Sequence, residues 1–326
     1  MRIDCPGFVD LQVNGFAGVD FNDPACRLDD LARATVAIRN TGVTRFLPTL
    51  ITASHERFAR CARNILDARL PEMFGFHMEG PYISALDGTR GVHPRDQVIA
   101  ASIDDFKRRQ DAADGRIKLI TVAPESPGVL PVIEHCVKTG VRVSIGHSAA
   151  SDVEVRAAVA AGASMSTHLG NGVALTLPRH PNLIWEQLAQ DDLYAGFIVD
   201  GHHLPPATVK VMMRAKGVAR TILVTDAIAA AGQPPGIYEL NGLKVELSAD
   251  GRVAPPGAAY LAGSALSMDR AIGNTVRFTG LPLDQVLTMA HERPAKFIGI
   301  EPVGHVRAEW NETERTFHIE HVTADA

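Results

Sequence analysis

Short apolar runs rich in β-branched residues recur along the chain and alternate with stretches whose apolar positions follow the 3.6-residue period of a helix. The runs are GFVDLQV near the start, VTRFLPTLI at 43–51, FGFHMEG at 74–80, IKLITVAPE at 117–125, VRVSIGH at 141–147, SMSTHLG at 164–170, YAGFIVDG at 194–201 and TILVTDA at 221–227. Between them, LDDLARATVAIRN (28–40), SHERFARCARNILDARL (54–70) and SDVEVRAAVAAGA (151–163) read as amphipathic helices, with Ser54 and Ser151 where an N-cap belongs. Strand–helix alternation without hairpin signals implies a parallel sheet. Eight such units imply a (β/α)8 barrel. The competing architecture, an open doubly wound sheet, would normally carry a glycine-rich phosphate fingerprint after its first strand, and neither GxGxxG nor GxxxxGK[ST] occurs.

The rhythm breaks after the eighth run. YELNGLKVELSADGRV alternates apolar and polar positions around Asn-Gly and Asp-Gly turn signals, which predicts a β-hairpin insert near 232–260. Final helices are expected over about 266–299, and HVRAEWNETERTFHIEHV reads as one or two strands outside the parallel barrel. The expected organisation is a catalytic barrel over 6–300, with 301–326 and 1–5 supplying a small β appendage.

Composition narrows the function. Hydrophobic content of 46% and charged content of 21% over 326 residues fit a globular enzyme. A net charge of −5 leaves no polycationic footprint for nucleic acid. No apolar run approaches the roughly 18 residues of a membrane span, and MRIDCPGF lacks the pattern of a signal peptide. The scattered Cys5, Cys26, Cys61 and Cys136 form no CxxC pair and read as free thiols of a cytoplasmic protein.

Polar residues gather at the C-terminal ends of the predicted strands: Gln12, Asn14, Glu79, His147, His168, Asp200 with His202 and His203, and Asp226. In a barrel those ends form the active-site face. Any one histidine in a β-rich chain is more often a hydrogen-bonded core residue, and a strand-end carboxylate often only caps the next helix. Jointly, Glu79, His147 and His168 offer one carboxylate and two imidazoles at one mouth, a common ligand set for catalytic Zn²⁺. Asp226 would be costly if unpaired in its apolar run, and beside a metal site it suits a general base. His203 suits polarising a carbonyl or binding a hydroxyl, whereas its neighbour His202 would point elsewhere. His77, two residues before Glu79, is as readily a structural residue as a functional one.

PGFVDLQVNG, HMEGPYIS, TVAPE, SIGHS, THLGN, IVDGHHL, LVTDA and LAGSALSM occur in the order seen in N-acetylglucosamine-6-phosphate deacetylases of the amidohydrolase superfamily, and the sequence resembles that family over about residues 6 to 300. The resemblance implies that Glu79, His147 and His168 hold one divalent metal ion, zinc by preference. It implies that Asp226 activates the attacking water and then protonates the leaving amine. His203 would bind the sugar and polarise the acetyl carbonyl. Asn171 and Gly172 would lie where backbone meets the phosphate, and Arg179 where the family has a phosphate-binding arginine that reaches the neighbouring site of a homodimer. His93 would match a histidine in the loop after the third strand, and Leu261, Ala262, Gly263 and Ser264 would form pocket wall. Gln12 and Asn14 replace the His-x-His pair that holds a second metal in many amidohydrolases. Neutral amide oxygens are weak zinc donors, so a single metal is expected, with both amides hydrogen-bonding around it.

The sequence departs from the family in three places. The chain starts almost at PGF, so the tail from Gly304 to Val322 is expected to be the remnant of a β-sandwich whose N-terminal part is missing. THLGNGV and the HPN after Arg179 are unusual for the phosphate loop, and the loop from Ser84 to His93 carries Asp87 and Arg90. These differences leave room for another N-acetyl sugar or an N-acyl amino acid as substrate, or for a non-catalytic barrel.

Overall fold

The structure, a computed structural model, describes residues 1–324 other than 241, 242 and 259. Eight parallel strands, Phe8–Val13, Val43–Ile51, Phe76–Glu79, Ile117–Val122, Arg142–Ile145, Met165–Ser166, Tyr194–Phe197 and Thr221–Leu223, lie side by side in chain order, with helices between them. The seam between the first and eighth strands closes at the C-terminal mouth. There Val13 bridges Ala227, the Asp226 N–H donates to the Gln12 carbonyl at 2.9 Å, and the Asn14 N–H donates to the Ala227 carbonyl at 2.7 Å. The fold is the (β/α)8 barrel expected from the alternation.

Local chemistry accounts for the helices. His55–Ala68 starts where Ser54 Oγ accepts the Arg57 N–H and ends at Arg69 in a left-handed turn. It buries Phe58, Cys61, Ala62 and Ile65, the i, i+3, i+4, i+7 stripe that faces a core. Asp152–Ala160 opens on a full capping box between Ser151 and Glu154, and a cap of this kind contributes about 1 kcal/mol.

The sixth and eighth strands are shorter than their apolar runs. Positive φ follows each, 29° at His168 two residues past the sixth strand and 50° at Asp226 three residues past the eighth, as it does at His147, 48°, after the fifth. A non-glycine residue held there costs roughly 1–3 kcal/mol, and such strain collects where surrounding structure fixes a functional side chain.

Inside the barrel, His77 lies among hydroxyls, not among the ligand-type side chains. Its Nε2 meets Thr121 Oγ1 at 2.7 Å, and Thr121 Oγ1 meets Thr167 Oγ1 at 2.7 Å. Burial pushes the His77 pKa down to about 4. The unfolded chain therefore binds a proton near pH 6.5 that the folded chain refuses until about pH 4, and stability present above pH 6.5 is lost as the pH falls between those values. At 1.36 kcal/mol per pH unit the loss is about 3 kcal/mol. Urea unfolding of metal-free protein at pH 7.5 and pH 4.5 should show this decline, and His77→Gln should lack most of it.

Arg2–Pro6, His305–Asn311 and Thr316–Thr323 form a separate antiparallel sheet. His305–Asn311 alternates strictly, with Val306, Ala308 and Trp310 buried and the other four residues exposed. Phe317 joins this layer to the barrel, its ring 6.0 Å from Phe8 and 6.5 Å from Trp310. The insert after the eighth strand forms the antiparallel strands Gly236–Leu240, Leu243–Leu247 and Val253–Ala254. Its Asn-Gly turn lies outside the described residues. All four cysteines are free thiols. No helix among the described residues is long and apolar enough to cross a membrane.

Candidate active site

Glu79 ends the third strand, and His147 and His168 sit in the left-handed turns after the fifth and sixth. Their side chains converge. Glu79 Oε1 lies 3.2 Å from His147 Nε2 and 3.1 Å from His168 Nε2, and the two nitrogens are 3.1 Å apart. All three residues are buried, with one ligand atom from each within 4.8 Å of the others. The His147 Nδ1–H donates to the Thr89 carbonyl at 3.0 Å. A carbonyl can only accept, so in the neutral ring the lone pair is on Nε2, which faces the cluster. His168 Nδ1 is buried without a partner among the described residues. Burial raises the Glu79 pKa, but the two imidazoles outweigh it and hold the carboxyl well below its usual range. A carboxylate facing two imidazole nitrogens in a buried cluster is a donor set that fits one divalent cation.

The paired amides at the end of the first strand serve two different carboxylates. Gln12 Nε2 donates to Glu79 Oε1 at 3.0 Å, and Asn14 Nδ2 donates to Asp226 Oδ1 at 2.6 Å. Gln12 lies on the first strand and Asn14 just past its end, two residues apart, and they reach the cluster from one face. Burial, and next the charge of Glu79, push the Asp226 carboxyl up to about 8, against the opposing pull of His168 and Asn14.

His93 packs its ring 4.3 Å from that of His147. Its Nδ1 accepts from Thr52, whose backbone N–H is 3.4 Å away and hydroxyl 2.8 Å away, so the ring proton is on Nε2. Burial holds His93 well below its usual pKa, and the ring is neutral. Asp87 and Arg90 pair with each other at 2.8 Å within the same loop, and Arg90 also bonds the His93 carbonyl. Asn171 Nδ2 and its backbone N–H both donate to the His168 carbonyl. At Gly172, where φ is +59°, an added Cβ would lie 2.9 Å from His147 Nδ1. Gly172→Ala is therefore expected to push His147 off its Thr89 contact and to weaken metal binding about tenfold or more, read by calorimetric titration.

On the seventh strand's loop, Asp200 Oδ1 accepts the backbone N–H groups of His202 and His203, and Asp200 Oδ2 accepts His203 Nδ1–H at 2.6 Å. His202 turns away to the Asp250 carbonyl at 3.2 Å. Leu261 to Ser264 run beside the eighth strand, where Ser264 bridges Ala227. Arg179 stands apart: it is exposed and, among the described residues, forms no ion pair.

Two supports were not singled out from sequence. Glu125 accepts Ser148 Oγ at 2.7 Å and the Ala149 N–H at 2.6 Å, bracing the turn after His147. Its signal was present, because TVAPE ends at the same mouth. The Thr89 carbonyl is a backbone contact made by a loop, and side-chain patterns carry no trace of it.

A parallel eight-stranded barrel with a buried carboxylate–imidazole cluster at its C-terminal mouth defines a metal-dependent hydrolase acting on an amide. The Amidohydrolase family profile matches residues 3–310, and the chain belongs to that family. It is 34% identical over 307 residues to the N-acetylgalactosamine-6-phosphate deacetylase of Escherichia coli O157:H7, covering 92% of this chain and 79% of that protein. It is 33% identical over 306 residues to the N-acetylglucosamine-6-phosphate deacetylase of Lysinibacillus sphaericus, covering 92% and 78%. The crystal structure of the N-acetyl-D-glucosamine-6-phosphate deacetylase of Mycobacterium smegmatis superposes with a TM-score of 0.89 at 29% identity, covering 99% of this chain and 86% of that one.

Proposed function

We propose that this protein removes the acetyl group from N-acetylglucosamine 6-phosphate, giving glucosamine 6-phosphate and acetate. The carrying observation is the Glu79–His147–His168 cluster with Asp226 held beside it by Asn14. The three cluster residues would hold one divalent ion, which we assign as zinc and which would supply Lewis acidity toward the acetyl carbonyl and the attacking water. Asn14 occupies Asp226 Oδ1, which leaves Oδ2 to take the proton of the attacking water. As the C–N bond breaks, Asp226 returns the proton to the sugar nitrogen, so water and amide become acetate and amine. Asp200 holds His203 Nδ1, which leaves Nε2 to meet the substrate.

Exposed Arg179, in a loop whose Leu175 is 98% exposed, supports a homodimer in which this arginine meets the phosphate in the partner's pocket. Four free thiols support a cytoplasmic setting.

The galactosamine epimer is a second reading, favoured by the 34% identity to the E. coli O157:H7 enzyme. Acetate release should be measured in parallel from both 6-phosphates and from unphosphorylated N-acetylglucosamine. Turnover of N-acetylglucosamine 6-phosphate in preference to the others supports the assignment. Preference for N-acetylgalactosamine 6-phosphate moves it to the epimer, and equal turnover of unphosphorylated N-acetylglucosamine removes the role given to Arg179.

A further inference from the structure

Asp10 is 1% exposed, and no step above uses it. It lies two residues before Gln12 on the same strand face, below the paired amides. Its Oδ1 accepts the N–H groups of Gln12 at 3.2 Å and Thr225 at 3.3 Å, and its Oδ2 accepts the Thr225 hydroxyl at 2.6 Å. Thr225 Oγ1 in turn accepts the Ala227 N–H at 3.3 Å. Both residues flanking Asp226 are thus tied to Asp10, one directly and one through a single hydroxyl.

We propose that Asp10 is a positioning residue for Asp226: with Thr225 it clamps the first strand to the last and sets the left-handed turn that aims the Asp226 carboxylate at Asn14. The turn has a φ of 50° and is held from the other side by the Asp226 N–H on the Gln12 carbonyl. An uncharged isostere weakens the clamp. Three donors converge on Asp10, and a carboxylate accepts all of them on two oxygens, whereas an amide keeps one accepting oxygen and forces the Thr225 hydroxyl to turn its proton to the Gln12 carbonyl, 3.4 Å away. The acid is kept at a cost, since burial pushes its carboxyl up to about 7. Purely structural closure of the seam would not need the clamp at this position, because Asn14 and Ala227 already close it one rung higher.

The effect on turnover rests on the deacetylase reading, and the effect on geometry does not. The test compares Thr225→Val, Asp10→Asn, the double variant and Thr225→Ser as zinc-loaded enzymes, together with crystal structures of the wild type and Thr225→Val. The expected result is a fall in kcat of roughly 10²-fold in each of the first two, with KM within about threefold. The double variant should be no worse than the weaker single, because both remove one linkage, and Thr225→Ser should keep near wild-type rates. In the Thr225→Val crystal Asp226 should leave Asn14 and lose its positive φ. Unchanged kcat, additive losses, or a fall in kcat with Asp226 still on Asn14 each overturn the proposal. If the wild type hydrolyses neither epimer, the deacetylase reading fails, while the position of Asp226 in the two crystals still decides the clamp.

Discussion

Replacing Asp226 with Asn should lower acetate release roughly 10³-fold, with the metal content of the protein unchanged. The substitution keeps the shape of the side chain, and its carbonyl oxygen can still accept from Asn14 Nδ2, the contact now 2.6 Å long. What disappears is the oxygen proposed to take a proton from water and hand it to the departing nitrogen. Asp226 contributes no atom to the Glu79–His147–His168 group, so one metal per chain should remain bound. The pH dependence carries the sign. Without a cation, burial and the charge of Glu79 keep Asp226 protonated up to about pH 8, and a protonated carboxyl cannot act as a base. Bound positive charge favours the carboxylate and moves that limit down. The acid limb of kcat/KM should therefore lie below pH 8 in the metal-loaded enzyme and vanish in Asp226→Asn, whereas an acid limb unmoved in the variant would assign it to another group.

The second large effect concerns Glu79. Glu79→Gln leaves two imidazoles and an amide, and the proposed ligand group loses its anionic atom. Metal affinity should fall at least about 100-fold, and turnover at low zinc should fall with it. The variant also turns the Gln12 Nε2 donor, now 3.0 Å from the carboxylate, toward a side chain that is itself part donor. Competition with a chromogenic chelator measures the affinity directly. Wild-type affinity in Glu79→Gln would remove Glu79 from the ligand set.

Much of this site is legible in the sequence because the barrel converts strand order into position. Glu79, His147, His168 and Asp226 each end an apolar run, and the topology brings those ends to one mouth. The capping serines were readable for the same reason, being local chemistry at a helix start. The short sixth strand was not readable, since it ends ahead of a positive φ at His168, which no residue-type preference announces. Asp10 did carry a signal, standing two before Gln12 on the same face. Its partner Thr225 is 215 positions away and known only once the barrel closes. His77 was ambiguous because its period-2 spacing to Glu79 puts both inside the barrel, and only depth separates a ligand from a residue bonded to Thr121.

Activity should depend on one metal ion at one amide-hydrolysing site. Metal-stripped protein should be titrated with zinc, and acetate release from N-acetylglucosamine 6-phosphate measured at each addition. The predicted curve rises linearly and breaks at one zinc per chain, because Gln12 and Asn14 donate to Glu79 and Asp226 and offer no second set of ligands. A break at two zinc ions per chain, or full turnover before any metal is added, would contradict it.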